Sequence, residues 1–347
     1  MKKTLFILTT VLLHLSSFAQ FTTIPDPNFE QSLIDQGYDS GEIDGKVLTE
    51  NINTLEVLDV SDLFITDLTG IQDFVALQVL FCSSNYIESL DLSALSALTY
   101  LDCSINQLSS LNVSGLSALE FLDCSTNILS SFNGIELSSL SSLNCNFNNL
   151  TSLDVSGLPI LTELSCSVNQ LSELNLKNLP SLTKLDCSDN NLTSIDVSGL
   201  SILTNLSCST NQLSELNLKE LSSLTTMDCT DNPSLTCIQV DNTDTAIANS
   251  SWNKDETTSY SLNCSLDTNS FEMNKGIVVF PNPTQGILNL SATTIIDKII
   301  ISDLIGKAVL HQVLPSNQIN VQHLAKGMYI LQTFLGKEKF TTKFVKE

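Results

Sequence analysis

The chain has 347 residues, with 38 acidic side chains against 15 lysines, no arginine and a formal net charge of −23. Such a field repels nucleic acid and anionic lipid, favours cationic partners or divalent ions, and also serves solubility. Histidine occurs only at positions 14, 311 and 323, so residues 20–273 cannot build a Ser-His-Asp or Cys-His unit, and the chain reads as a non-enzyme without a cofactor.

Residues 1–19 carry Lys2 and Lys3, an apolar run over 5–15 and then Ser17-Phe18-Ala19, the small-x-small ending of a secretory signal peptide cleaved before Gln20. The run is too short to cross a membrane as a helix, and no other apolar run is long enough. Residues 20–54 read as an amino-terminal cap. Asp26-Pro27 is a helix start, with the aspartate as cap and the proline in the first turn, followed by Phe29, Leu33 and Ile34 at helical spacing. The stretch 38–46 groups Asp39, Glu42 and Asp44 with two glycines. Its spacing misses the D-x-D-x-D-G order, so a plain polar turn is preferred over a calcium loop, and no metal site is assigned.

Cysteine then falls at 82, 103, 124, 145, 166, 187, 208 and 229, every 21 residues, and asparagine stands three places after each. A fixed period of this size signals a solenoid whose units bury their apolar faces only against one another. In the unit 98–119, LTYLDCSINQLSSLNVSGLSAL, the two-residue alternation turns Leu101 and Cys103 inward and Tyr100, Asp102 and Ser104 outward on a parallel sheet. Asn106 turns the chain out of the strand, its amide serving backbone groups that the turn leaves unpaired. Nine rungs from Val60 to Cys229, about 4.8 Å apart, span on the order of 40 Å. Stacked cysteines in register point the same way, which disfavours disulfides, and no C-x-x-C spacing offers a metal site. They read as buried free thiols packed as small apolar side chains.

Leu98, Leu101, Cys103, Asn106 and Leu108 match the L-x-x-L-x-L-x-x-N/C-x-L signature one for one, and residues 55–240 resemble the leucine-rich-repeat family. The short period is similar to the bacterial internalin type, which implies a concave parallel sheet and only turn-like backbone on the convex side. Gly70 and Gly134 stand where neighbouring units carry Val or Leu, and the first unit has Val60 and Leu63 in the cysteine and asparagine places.

Fold stability does not dictate the outward side chains of such a sheet. Its amino-terminal half presents Val79, Phe81, Tyr100, Phe121, Ile105 and Phe147 mixed with Asp102 and Asp123, and further along come Glu163, Lys184, Asp186, Asp189, Asp228 and Asp231. Clustered aromatics at solvent-facing positions mark contact sites. The predicted binding face is Val79, Phe81, Tyr100, Asp102, Phe121, Asp123, Phe147, Glu163, Lys184 and Asp186, its ligand an unidentified protein or glycan. The alternative is cross-strand packing in a structural envelope spacer. Asp102 and Asp123 stand on neighbouring rungs of an open sheet, a poor setting for paired-carboxylate catalysis.

Past Asn232-Pro233 the period slips by one residue, placing Ile238 and Val240 in a final half rung. Cys237 and Cys264, the two body cysteines off the ladder, are predicted to pair and close a loop of about 28 residues, with Trp252 inside it plugging the last rung. Residues 241–265 form this cap and 266–273 a linker.

The remainder, 274–347, carries eight lysines against four acids, where 20–273 carry five against 34. Alternating strands over 277–280, 287–290, 299–302, 308–310 and 328–334 predict a small β-sandwich, making the whole chain mainly β. Pro281-Asn282-Pro283 with Gly286, the 303–307 turn with Gly306, the 324–329 segment with Gly327, and the closing run with Lys343 and Lys346 resemble the type A carboxy-terminal sorting domain of the type IX secretion system. That resemblance implies the type IX machinery as a partner, removal of the sorting domain after export, and a passenger, secreted or at the cell surface, that is released or fixed to surface polysaccharide. A monomer is expected. No nucleic acid partner and no transmembrane segment in the mature chain are expected.

Overall fold

The computed structural model describes residues 19–264, 278–291, 296–313, 317–335 and 338–347. The expected signal peptide, the expected 266–273 linker and Ile277 therefore lie outside the described residues, apart from residue 19. The chain forms two compact units, Met1–Cys264 and Ser265–Glu347.

The first unit is a stack of short parallel strands joined by turns. Its main sheet has ten strands, running from Val57–Asp59 through Val79–Phe81, Tyr100–Asp102, Phe121–Asp123 and Ser142–Asn144 to Glu163–Ser165, Lys184–Asp186, Asn205–Ser207, Thr226–Asp228 and Trp252–Asn253. The central residue of each repeat strand is buried and its two flanks face out, as at Leu101 between Tyr100 and Asp102. The sheet extends one strand beyond the nine rungs read from the period. That strand comes from the cap, where Trp252 pairs with Met227 and Asn253 with Asp228.

All eight ladder cysteines are free and buried. Asparagine links each rung to its neighbours. Asn127 donates from Nδ2 to the carbonyls of Cys103 (3.1 Å), Cys124 (3.1 Å) and Ser125 (3.2 Å), and its Oδ1 accepts from the Leu108 amide at 2.9 Å. One buried side chain thus satisfies four backbone groups on two rungs, and the 21-residue beat repeats this around the stack. In the first rung, which lacks its own asparagine, Asn85 Oδ1 accepts from both Leu63 and Ile65. A second ladder comes from hydroxyls ahead of the strands: Thr162, Thr183, Thr204 and Thr225 each donate to the carbonyl one rung earlier at 2.9 Å.

The convex side is more regular than the resemblance implied. Most of its segments turn through an Asx bond, such as Ser114 N to Asn112 Oδ1 at 3.1 Å. Two places also carry paired parallel strands: Ser131–Asn133 with Ser152–Asp154, and Leu216–Asn217, Cys237–Gln239 and Ser259–Ser261 in a row. In the first, glycines allow the backbones to close. A Cβ at Gly157 would run into the Ile135 backbone, and the space beside Gly134 is filled by the buried ring of Phe132. In the second, Cys237 is bonded to Cys264, with a Cα–Cα distance of 5.7 Å. Closing a loop of this length stabilises by roughly 3 to 4 kcal/mol. Trp252 packs on the core beside Tyr260, ring centroids 6.1 Å apart, covering the last rung.

At the other end Phe21–Thr23 pairs antiparallel with Lys46–Leu48, and the helix Pro27–Asp35 lies against the first rung through Phe29, which stacks on Phe74 at 6.1 Å. Asp26 does two jobs. Oδ1 accepts from Asn28 and Phe29 to cap the helix, while Oδ2 accepts from the Thr66 amide and hydroxyl and from Asp67, fastening cap to repeat. Burial pushes this carboxyl up, but the bonds from Thr66, Phe29 and Asp67 outweigh it and hold its pKa below the ordinary value. Gly70 has φ +104°, and a Cβ there would collide with Ile24 and the Thr23 carbonyl, so this irregular unit is shaped by the docked cap. The 38–46 stretch is held from outside: fully buried Glu30 accepts from the Asp44 and Gly45 amides at 2.7 and 2.8 Å.

The second unit contains two antiparallel sheets. One joins Val278–Phe280, Ile287–Ser291 and Gln318–Asn320; the other joins Ala308–Val313, Lys298–Ser302, Gly327–Leu335 and Glu338–Lys346. Leu288, Leu290, Ile299, Ile301, Ile319, Leu331 and Phe344 form its core. The sequence reading missed the strands at 318–320 and 338–346. The second of these pairs residue for residue with Gly327–Leu335.

Candidate ligand-binding face

The outward positions of the main sheet form two columns. The column before the buried leucine runs Val57, Val79, Tyr100, Phe121, Ser142, Glu163, Lys184, Asn205, and the column after it runs Asp59, Phe81, Asp102, Asp123, Asn144, Ser165, Asp186, Ser207. Nine of the ten predicted binding residues lie in these columns. Phe147 does not: it is the third residue past its strand, in a turn on the flank of the sheet, and is 55% exposed. Ile105 occupies the same kind of turn one rung pair earlier.

Phe81, Tyr100 and Phe121 stack on one another. The Tyr100 and Phe121 rings are 4.2 Å apart and within 5° of parallel, and Phe81 meets Tyr100 at 5.1 Å and 50°. All three side chains are half-buried, and Tyr100 and Phe121 each cover one face of the other. Partial burial, with Asp102 and Asp123 beside it, raises the Tyr100 phenol above its ordinary pKa.

The carboxylates are tied to their own rungs. Asp102 Oδ1 accepts from the Ser104 amide at 3.0 Å and hydroxyl at 2.6 Å, Asp123 does the same with Ser125, and Asp186 with Ser188. Asn144 also donates to Asp123 Oδ2 at 2.8 Å. This serine, two places past each aspartate, is a positioning partner the sequence reading overlooked, though the D-C-S triplet recurs in plain sight. Toward the carboxy-terminal end the face becomes a polar groove of about 530 Å³ lined by Glu163, Lys184, Asp186, Asn205, Thr226 and Asp228 among others. Lys184 Nζ pairs with Glu163 at 2.6 Å; both are well exposed, so the pair adds little to stability.

Beneath the face, burial pushes every ladder thiol up, that of Cys229 to about 12, so the column is neutral and unreactive in the folded state. Among the described residues, no three His, Cys, Asp or Glu side chains are grouped to hold a metal ion, and no helix is long and apolar enough to cross a membrane.

In the second unit the motif residues are joined to one another. Asn282 accepts from the Val345 amide at 2.9 Å and donates to the Lys343 carbonyl at 3.2 Å, fastening the 281–283 turn to the closing strand. A Cβ at Gly286 would press on the Gln322 side chain. Gly306, at φ +86°, completes a turn in which Asp303 Oδ1 accepts from Ile305 and Lys307. Gly327 opens the strand whose Tyr329 stacks on Phe344 at 5.6 Å and donates to the Ala325 carbonyl. Lys343 is exposed and Lys346 is buried, its amine on the Glu347 carbonyl.

Residues 278–347 match the family described as the secretion system C-terminal sorting domain. The repeat body has the leucine-rich-repeat fold of two solved internalin-type structures. The functional domain of InlJ from Listeria monocytogenes, which includes a cysteine ladder, is 30% identical with a TM-score of 0.52; the match covers 65% of this chain and 58% of that one. Internalin C2 from Listeria monocytogenes is 27% identical with a TM-score of 0.52, over 65% of this chain and 99% of that one. The chain thus spans little more than half of the InlJ domain. No curated protein matches it. A sorting domain of this family marks the chain as secreted or displayed at the cell surface, with the secretion machinery as its partner.

Proposed function

We propose that the repeat body is a non-enzymatic recognition module, delivered to the cell exterior by its carboxy-terminal domain, that binds a protein or glycan through the concave sheet. The observation that carries this reading is the Phe81, Tyr100, Phe121 stack. Tyr100 and Phe121 occupy outward positions that Ser142, Glu163, Lys184 and Asn205 fill elsewhere over the same buried frame, and Phe81 one that Asn144 and Ser165 fill, so folding does not require aromatic rings there. Large apolar side chains at an exterior surface that the fold leaves free are a mark of contact.

One observation favours the spacer reading instead. The rings cover one another and the aspartates are bonded within their own rungs, so much of the face is already satisfied. The two readings separate on Tyr100→Ser and Phe121→Ser in the full chain, tested on panels of extracellular proteins and glycans. Recognition predicts at least a tenfold fall in binding with Tm lowered only a few degrees. Unchanged binding by both variants favours the spacer.

A further inference from the structure

Beside the concave sheet, on the flank where the chain leaves each strand, five consecutive rungs present an apolar side chain to solvent. Phe64, Tyr86, Ile105, Ile128 and Phe147 are 63%, 48%, 52%, 52% and 55% exposed, more open than any ring of the concave stack. The turns that carry them are bonded into one continuous column: the Asn85 amide donates to the Ile105 carbonyl, Asn106 to Thr126, and Asn127 to Phe147. Phe64 and Tyr86 touch, with ring centroids 6.0 Å apart. In the next rung the equivalent turn carries a half-buried Val168, and beyond it the turns carry Asp189, Asn191, Thr210, Gln212 and Asp231.

These side chains do not serve the fold. Phe64, Ile105 and Phe147 stand at φ between +53° and +58°, the left-handed region that bulky and β-branched residues avoid. Exposed apolar atoms on strained backbone, confined to one half of an otherwise repetitive surface, point to a partner that covers them.

We infer that this partner is a polypeptide carrying an apolar anchor flanked by lysine or arginine, seated across the aromatic stack and onto this flank; the inference rests on the reading of the concave face as a recognition surface. A sugar is poorly served here. Tyr100 and Phe121 have each spent one face on the other at 4.2 Å, Phe64 and Tyr86 lie against each other at 6.0 Å, and Ile105 and Ile128 offer neither a ring face nor a hydrogen bond to a hydroxyl. The flank offers on the order of 500 Å² of apolar surface, and with the adjoining stack approaches the roughly 800 Å² per partner of a specific protein interface. Charge sets the rest of the partner's chemistry. Asp102 and Asp123 adjoin the stack, and residues 20–273 carry 34 acids against five lysines, so basic side chains beside the anchor complement the surface.

The test uses the full chain, immobilised and panned against a phage library of random 12-residue peptides, with an oligosaccharide array run in parallel. Enriched peptides should combine an aromatic or branched aliphatic residue with two or more lysines or arginines. A synthetic peptide of that kind should bind at least tenfold more weakly to an Ile128→Ser, Phe147→Ser double variant of unchanged Tm, and also to Tyr100→Ser. Binding that falls with Tyr100→Ser alone overturns the flank while leaving the concave reading intact. Tyr100-dependent binding on the sugar array overturns the polypeptide assignment and again leaves that reading standing. A library that yields no such peptide, or only peptides indifferent to both sets of variants, overturns the inference, and with no Tyr100-dependent sugar on the array the recognition reading falls with it.

Discussion

The amino-terminal and carboxy-terminal halves of the concave sheet are built on one frame and dressed differently. Leu101, Cys103 and Asn106 in the first half do what Leu185, Cys187 and Asn190 do in the second, down to the same amide-to-carbonyl bonds at 3.0 to 3.2 Å. Outward, Tyr100 and Phe121 give way to Lys184 and Asn205, and the flank changes from Ile105 and Phe147 to Asp189 and Thr210. Because the frame holds with either dress, the outward difference is not a requirement of folding. It is where a function can have been written.

That comparison can be broken at several scales. The largest effect concerns the frame common to both halves. Burial raises each ladder thiol above its ordinary pKa, so the unfolded chain releases protons that the native state keeps, and stability is full below about pH 8.5 and falls as pH rises. Each thiol forfeits about 1.4 kcal/mol per pH unit, and the eight together on the order of 10 kcal/mol. Circular dichroism against pH should show the body unfolding between about pH 9 and 10.5, and an all-Cys→Ala ladder that survives assembly should lose that transition. Next, Asn127→Ala and Asn190→Ala each orphan four backbone groups and should each cost about 3 kcal/mol, read as a Tm lower by roughly 10 °C. Markedly unequal costs would mean that the halves do not share a frame. Outward changes should be small and unequal: Phe121→Ser about 1 kcal/mol through the lost ring pair, Lys184→Ala under 0.5 kcal/mol. Of the same size as the ring-pair loss but opposite in sign, Ile105→Asn relieves a left-handed strain and should stabilise by about 1 kcal/mol, raising Tm by a few degrees.

Much of the frame was legible because its signal is periodic. Leu-x-Cys alternates with period two inside a period of 21, and Asp26-Pro27 names the start of the cap helix. Where the period ends, legibility ends with it: Trp252 was seen as a plug, but nothing in its surroundings spelled a tenth strand. The convex pairing was hidden because it depends on Gly157 approaching Ile135, a contact between units. The concave columns could be read from alternation, whereas Phe64, Tyr86 and Ile128 could not, since they lie in turns. The left-handed backbone at Phe64, Ile105 and Phe147 carries no glycine to announce it, and Phe147 was assigned to the sheet for the same reason. In the second unit, Lys343 and Lys346 read as a motif, and the nine-residue strand that contains them went unnoticed because lysines interrupt its alternation.

The most direct test of the frame, on which the whole assignment of an outward face rests, is a count of reactive thiols. The full chain is treated at neutral pH with a water-soluble alkylating reagent and weighed by intact mass spectrometry, with and without denaturant. Sealed coils predict that none of the eight ladder cysteines is modified in the native protein and that all eight are modified once it is unfolded. Modification of most of them in the folded chain would contradict the register of the coils and, with it, the face assigned to recognition.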